Sequence, residues 1–124
     1  MRVTNAVASR KRRKKILKQA RGFRGSRKNL IRQAYNAVDR AQAMAYVGRK
    51  QKKRQYRRLW TARINAACRM QGMNYSEFMH GLKLAGVDLN RKTLSNMAIE
   101  DEAAFTQLVE QARQAKAEHD KKTA

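Results

Sequence analysis

Apolar positions recur every three or four residues along most of this chain, which is the spacing of one face of an α-helix. The pattern predicts a first helix from about Ser9 to Arg21. Residues 22–25 interrupt it, because glycine on each side of an aromatic residue is typical of a helix end followed by a turn. Residues 1–8 show no clear period, and we expect them to form an extended arm.

A longer second helix is predicted after this interruption. Ser26 can cap it, and with no proline present it is expected to run to residue 71, with Gly48 as the one place where it can kink. Its apolar stripe consists of Ile31, Ala34, Tyr35, Val38, Ala41 and Ala45. We expect the ring of Tyr35 to pack against other residues of the protein.

The rest of the chain predicts three shorter helices. Asn74 or Ser76 can start the first of them, Gly86 can end it, and Asn90 can cap the next. Three acids at 100–102 precede the last helix, where they complement the positive end of its dipole. The apolar positions of the three helices are Phe78, Met79, Leu82 and Leu84, then Leu94, Met97 and Ala98, and finally Phe105, Leu108, Val109 and Ala112.

These elements predict an all-α fold in which a long basic N-terminal helical arm is joined to a small C-terminal helical globule. The expected parts are residues 1–58 for the arm, residues 59–118 for the globule and residues 119–124 for a frayed tail. Near the joint, one helical stripe is expected to dock on the C-terminal helices, and its members are Tyr56, Trp60, Ile64 and Ala67. If Trp60 is buried, Trp60→Ala should cost roughly 3 kcal/mol or more.

The charge of the chain is distributed unevenly. The formal net charge is +21, and residues 1–60 hold 21 lysines and arginines against a single acid, whereas residues 61–124 hold nine against eight. Like charges repel in a compact chain, so residues 1–60 are unsuited to folding alone. Their charge is suited to binding a polyanion. The composition, 42% hydrophobic but only 6% aromatic and without proline, is typical of a helical protein.

The placement of the cations favours RNA over DNA. A helix that lies on a duplex needs one basic face, whereas a helix threaded through folded RNA meets phosphates on all sides. Between residues 49 and 58 the cations surround the helix, and Tyr56 and Trp60 lie among them, where they could pack or stack on unpaired bases. These cations are Arg49, Lys50, Lys52, Lys53, Arg54, Arg57 and Arg58.

The sequence offers little for catalysis, and we predict that the protein is not an enzyme and needs no cofactor or metal. Cys68 is the only cysteine, so it cannot form an internal disulfide and is expected to be a small packing residue. His80 and His119 fall in different predicted elements, and no metal-ligand spacing exists. No apolar run approaches the roughly 18 residues of a membrane span, so no membrane partner is expected.

One long motif near the joint reads Lys53-x-x-x-Arg57-x-Leu59-Trp60-x-x-Arg63-Ile64-Asn65-x-x-x-Arg69. This motif resembles the signature of the bacterial large-subunit ribosomal protein L-twenty family. Shorter runs resemble the same family, namely residues 15–23, 74–83, 90–94 and 103–109, so that the resemblance covers about residues 2–117. The chain departs from the family at Thr61, where an aliphatic residue is expected, and at Glu77, where a basic one is common.

The resemblance implies a structural constituent of the large ribosomal subunit, located in the cytoplasm within the ribosome. Proteins similar to this one bind large-subunit rRNA directly and early in assembly, with the arm embedded in rRNA and the globule nearer the subunit surface. Neighbouring large-subunit ribosomal proteins are implied partners. Some relatives also repress translation of their own operon, which implies the chain's own messenger RNA as a further partner.

The candidate rRNA-binding residues are mainly the cations of the arm and the joint. They are Arg2, Arg10, Lys11, Arg12, Arg13, Lys14, Lys15, Lys18, Arg21, Phe23, Arg24, Arg27, Lys28, Arg32, Arg49, Lys50, Lys52, Lys53, Arg54, Arg57, Arg58, Arg63, Asn65, Arg69, Arg91 and Lys92. The alternative is a nucleoid-type basic DNA-binding protein, which would prefer duplex DNA. A dedicated messenger-RNA repressor and a basic amphipathic membrane binder are weaker alternatives, the latter because the most cationic stretches lack a broad apolar face.

Overall fold

The structure is a computed structural model that describes residues 2–124. Within this range it contains five α-helices, one short 3-10 turn at Gly25–Lys28 and no strand, which confirms the all-α class. The helices are α1 (Ala6–Gln19), α2 (Ile31–Met70), α3 (Tyr75–Leu84), α4 (Arg91–Glu100) and α5 (Glu102–Thr123). The fold groups into two units, one ending at Gln51 and one beginning at Lys52, and α2 belongs in part to each.

The first helix begins earlier than its sequence pattern predicts. Residues 6–8 are helical rather than extended, because Asn5 adopts the left-handed conformation with φ 57° and its carbonyl accepts a hydrogen bond from the Ser9 N–H at 3.1 Å. Asparagine tolerates this conformation better than most residues. The expected extended arm is therefore confined to the first few described residues.

Ser26 does not cap α2, and this expectation is wrong. Its carbonyl accepts the N–H groups of Asn29 and Leu30, while its hydroxyl donates to the side chain of Gln33. These bonds hold residues 25–28 in the 3-10 turn, so α2 begins only at Ile31. From there the helix is continuous through Gly48 to Met70.

The first unit has a very small apolar cluster. Ala20, Ala34 and Val38 are buried, and Ile16, Leu17 and Phe23 pack against them. Only the start of the predicted stripe on α2 is therefore covered. Tyr35 is 42% exposed, which contradicts its expected packing, and Ala41 and Ala45 are exposed as well. Ile16, Leu17 and Ala20, which cover the start of the stripe, all lie at the C-terminal end of α1.

The second unit uses two glycines to turn the chain sharply. Gly72 and Gly86 have φ values of 76° and 72°, in the left-handed region where glycine is unstrained. After α2, the Met73 N–H donates to the Cys68 carbonyl at 3.0 Å, and after α3 the Val87 N–H donates to the Leu82 carbonyl at 3.0 Å. Both ends have the Schellman pattern, which satisfies terminal carbonyls and lets the chain reverse into the next helix.

Side-chain caps start each of the three following helices. Asn74 accepts the Glu77 N–H at 2.9 Å and forms a capping box with that residue, which confirms one of the two predicted starts of α3. Asn90 accepts the Thr93 N–H at 2.8 Å, as predicted for α4. Of the acidic triplet, Asp101 caps α5 and Glu102 lies in its first turn, whereas Glu100 is the last residue of α4. Residues 119–123 are helical, and their fraying in solution stays a prediction.

The core of the second unit lies where α2 meets α3, α4 and α5. Its buried members are Ile64, Cys68, Met73, Phe78, Leu82, Leu94, Phe105, Val109 and Ala112. Phe78 and Phe105 pack with ring centroids 5.3 Å apart. The docking stripe on α2 therefore begins at Ile64, while Trp60 is half-buried outside the core and Tyr56 is 46% exposed. The predicted docking on the C-terminal helices is therefore wrong for the exposed Tyr56, while Trp60 is only partly covered.

Candidate nucleic-acid interface

Every lysine and arginine of residues 2–60 is exposed in the structure. Within this stretch no carboxylate forms an ion pair with any of them, and the lone acid Asp39 is exposed too. The helical backbones of α1 and α2 thus present their cations to solvent, where a polyanion can reach them. Among the other candidates, Arg63, Arg69 and Lys92 are exposed, and Phe23, Asn65 and Arg91 are half-buried.

In the first unit, a groove of about 730 Å³ brings Phe23 together with three arginines. Phe23 contacts the buried Ala20–Ala34–Val38 cluster, so its ring is held in place. Arg24, Arg27 and Arg40 line the same groove. Arg40 is missing from the sequence candidates, because only the fold of the turn onto α2 brings it near Phe23.

In the second unit, two grooves run beside residues 52–65 of α2. The first, of about 410 Å³, contains Arg57, Arg58 and Asn65 and reaches Tyr75 of α3. Tyr75 accepts a hydrogen bond from Arg91 Nε at 2.7 Å, which fixes the position of that guanidinium. The structure therefore brings residues of α2, α3 and α4 to one surface.

The second of these grooves, which we name the Trp60 groove, has a volume of about 620 Å³. It lies between α2 and α4 and combines aromatic, aliphatic, amide and cationic side chains. Its lining residues are Lys52, Lys53, Tyr56, Leu59, Trp60, Arg63, Lys92 and Asn96. Sequence reasoning identified the cations and left Trp60 open between packing and stacking, because the proximity of α4 is decided by the tertiary fold.

Glu77 of the second unit serves the fold. Glu77 forms an ion pair with Lys116, in which Lys116 Nζ donates a hydrogen bond to Glu77 Oε1 at 2.8 Å. Glu77 also belongs to the α3 capping box. The hydrogen bond from Lys116 and that from the Asn74 backbone lower the pKa of Glu77, while the same carboxylate raises the pKa of Lys116. Glu77, one of the two residues that depart from the family pattern, thus forms a local ion pair with Lys116.

The remaining reactive side chains do not form a site. Cys68 is fully buried, and burial raises the pKa of its thiol to about 12, which fits a packing residue. His80 and His119, which the sequence placed in separate elements, meet with ring centroids 5.9 Å apart. Among residues 2–124, no group of three or more potential metal ligands occurs. None of the described helices is both long and apolar enough to cross a membrane.

The fold and the charge define a class of protein, namely all-helical polycationic proteins with an exposed basic surface suited to polyanions. The sequence model of the family Ribosomal protein L20 matches residues 2–108. This chain therefore belongs to the ribosomal protein L20 family. It is a structural, non-enzymatic ribosomal protein, and it works in the cytoplasm as part of the ribosome.

Curated relatives of similar length support this assignment. A protein named large ribosomal subunit protein bL20 from Finegoldia magna is 55% identical over 112 residues, which is 90% of this chain and 96% of the relative. Proteins of the same name from Alkaliphilus metalliredigens and a Roseiflexus species are 57% and 56% identical. They cover 91% and 92% of this chain and 95% and 97% of their own lengths.

Proposed function

We propose that this protein is built into the large ribosomal subunit by binding large-subunit rRNA directly, and that this binding supports early assembly. The observation that carries the proposal is the exposed cation surface of residues 2–60, with 21 cations and one acid. Cations at phosphates release condensed counterions, so many of them together produce tight, salt-sensitive binding. A polycation between rRNA helices also offsets their mutual repulsion and favours a compact RNA fold.

The names of the relatives support the choice of polyanion, because each is called a large ribosomal subunit protein. In this proposal the arm, residues 1–58, lies within rRNA, and the globule, residues 59–118, adds contacts through Arg63 and Lys92. Other large-subunit proteins are its expected neighbours. Exposed apolar side chains such as Met44 and Val47 on α2 offer contact area for them.

The resemblance also implies the protein's own messenger RNA as a second partner. One basic surface cannot hold two large RNAs through the same residues at once. The messenger should therefore compete with rRNA for the protein. Competition between labelled rRNA and the unlabelled leader of the operon would test this, and simultaneous binding of both RNAs would contradict a shared surface.

The direct test of the proposal is affinity at two salt concentrations. Full-length protein is titrated against large-subunit rRNA fragments and against duplex DNA of matched length. We expect strong preference for one rRNA fragment that survives raised salt. Equal binding to both, lost together as salt rises, would instead support the nucleoid-type alternative, because charge alone would drive association.

A point substitution tests the contribution of the globule. Arg63 is exposed on α2, so Arg63→Ala should weaken rRNA binding without changing the melting temperature. Lys83→Ala is the matched control, since Lys83 is an exposed cation outside the grooves described above. Affinity for the preferred rRNA fragment, measured by filter binding, is the readout. Equal affinities of the two variants would remove Arg63 from the interface.

A further inference from the structure

The Trp60 groove has an apolar floor and a cationic rim. Leu59 and Trp60 provide the floor, and Tyr56 extends it one helical turn earlier on α2. Arg63 of α2 and Lys92 of α4 are exposed cations at the rim, and none of the residues that line the groove is acidic. A ligand that fills it must therefore carry both a flat apolar part and a negative charge.

The aromatic rings of the groove are arranged as a platform. The Tyr56 and Trp60 rings lie with centroids 6.0 Å apart and planes inclined by 33°. The Lys52 ammonium is already placed against Tyr56, with Nζ 5.9 Å from the ring centroid. Trp60 is half-buried, so its ring is held by the fold while it still faces the groove. It is the natural stacking surface.

The start of α4 adds recognition groups from the opposite side. Lys92 and Asn96 are one helical turn apart, so both point to the same face of α4. The first turn of α4 contains no acid, and its Arg91 and Lys92 oppose the positive end of the helix dipole. An anion at this place would compensate that repulsion. The Asn96 amide can both donate and accept a hydrogen bond, as the edge of a nucleobase requires.

We propose that the Trp60 groove holds one unpaired nucleotide of large-subunit rRNA. Its base stacks on Trp60, its phosphate lies near Arg63 and Lys92, and Asn96 contacts the base edge. This inference rests on the proposed rRNA binding and adds a specific subsite to it. Paired bases within a duplex cannot present a face to the ring, whereas unpaired bases of loops and bulges can. An apolar peptide would leave the rim cations without partners.

The chain contains a single tryptophan, so tryptophan fluorescence reports on the Trp60 groove alone. Full-length protein is titrated with protein-free large-subunit rRNA and, separately, with a perfectly paired RNA duplex. Binding is followed independently through the anisotropy of a fluorescent label on the RNA. We expect tryptophan emission to be quenched by the rRNA and to remain largely unchanged with the duplex. The duplex has the same backbone charge, so it controls for ordering of the arm on any polyanion.

Substitutions at Trp60 separate stacking from packing. Trp60→Phe keeps an aromatic face, whereas Trp60→Leu keeps apolar bulk without one. Stacking of one base changes affinity by about fivefold or more. We therefore expect Trp60→Leu to weaken rRNA binding by about fivefold or more, while Trp60→Phe stays near wild type. Ile99→Ala is the matched control, because Ile99 is 64% exposed on α4 and does not line the groove.

The outcomes distinguish this inference from the proposed function. The nucleotide subsite would be overturned, with rRNA binding left intact, if rRNA bound tightly without changing the tryptophan emission. Equal rRNA affinities of the Trp60→Leu and Trp60→Phe variants would overturn it in the same way. Failure of the wild-type protein to prefer rRNA over duplex DNA would overturn the proposed function itself. Melting temperatures of all variants verify that each one folds.

Discussion

Gly81 of α3 lies against the backbone of α5. A Cβ atom at this position would be 2.4 Å from the Ala112 carbonyl oxygen, far inside van der Waals contact. Backbone cannot move aside as the end of a side chain can. The absence of a side chain at Gly81 is what allows the two helices to approach.

Gly81→Ala should therefore lower the free energy of unfolding by about 1–3 kcal/mol, the usual cost of overpacking. Urea unfolding followed by circular dichroism measures it. Gln111→Ala is the control within the same folded unit, since Gln111 is an exposed position of α5. It adds no bulk to the core, so the stability should stay close to that of wild type. Equal stability of the Gly81 variant and wild type would mean that α5 can shift away.

The ion pair between Glu77 and Lys116 makes stability depend on pH. The pKa of Glu77 is below its usual value of 4.5 in the folded protein, chiefly because of the hydrogen bond from Lys116. Its stabilising contribution is thus complete above about pH 4.5 and is lost as the pH falls through the lower folded value. Both side chains are substantially exposed, so the effect is small.

We expect wild type to melt above Glu77→Gln at neutral pH, with the gap closing as the pH falls below 4.5. Thermal melts across pH 3–7 measure the gap. Glu110→Gln is the control, since it removes an exposed carboxylate that forms no ion pair among the described residues. A constant difference between wild type and Glu77→Gln across the whole range would show that the carboxylate charge is not the cause.

At the scale of elements, the helix starts of the second unit depend on single side chains. Asn90 accepts both the backbone N–H and the hydroxyl of Thr93, at 2.8 and 3.0 Å. Without this acceptor, an N–H group at the start of α4 loses its partner within the protein. The same helix carries Lys92 and Asn96 of the Trp60 groove, so the cap also positions the proposed nucleotide subsite.

Asn90→Ala should cost about 1 kcal/mol of stability, whereas Asn90→Asp should retain most of it, because aspartate caps equally well. Chemical denaturation of both variants measures the difference. An alanine variant as stable as the aspartate variant would mean that water replaces the cap without loss.

At the scale of the whole molecule, the two units differ in what holds them together. The first has only Ala20, Ala34 and Val38 buried, and it carries most of the positive charge. The second has a core with two phenylalanines, several aliphatic side chains and capped helices. Burial of three small side chains cannot offset both chain entropy and charge repulsion.

We therefore expect the free arm to be largely disordered at low RNA and to become helical when phosphates neutralise it. Amide hydrogen exchange of the free protein should be fast over residues 10–58 and slow over the core of the second unit. Addition of rRNA should slow exchange in the arm. Strong protection across residues 10–58 without RNA would refute this prediction.

Local signals explain why most helix ends could be predicted. Asn74, Gly86 and Asn90 act on backbone groups within four residues, so their effect is readable in the sequence alone. Ser26 failed as a predicted cap because its carbonyl and hydroxyl serve a 3-10 turn that the apolar period does not reveal. Trp60 lies outside the core although it shares a helical stripe with Ile64. Helical spacing defines the stripe, but it does not show how far along the stripe the C-terminal helices cover it.

The sequence by itself determined the all-helical class, the excess of positive charge and the family, because helical period, net charge and motif spacing can all be read along the chain. Only the tertiary structure decided which part of each stripe is covered and which distant residues meet. The contact of Gly81 with Ala112, the approach of His80 to His119 and the joining of Trp60 with Lys92 in one groove depend on helix packing. Packing depends on the shapes of surfaces far apart in sequence, which no local pattern encodes.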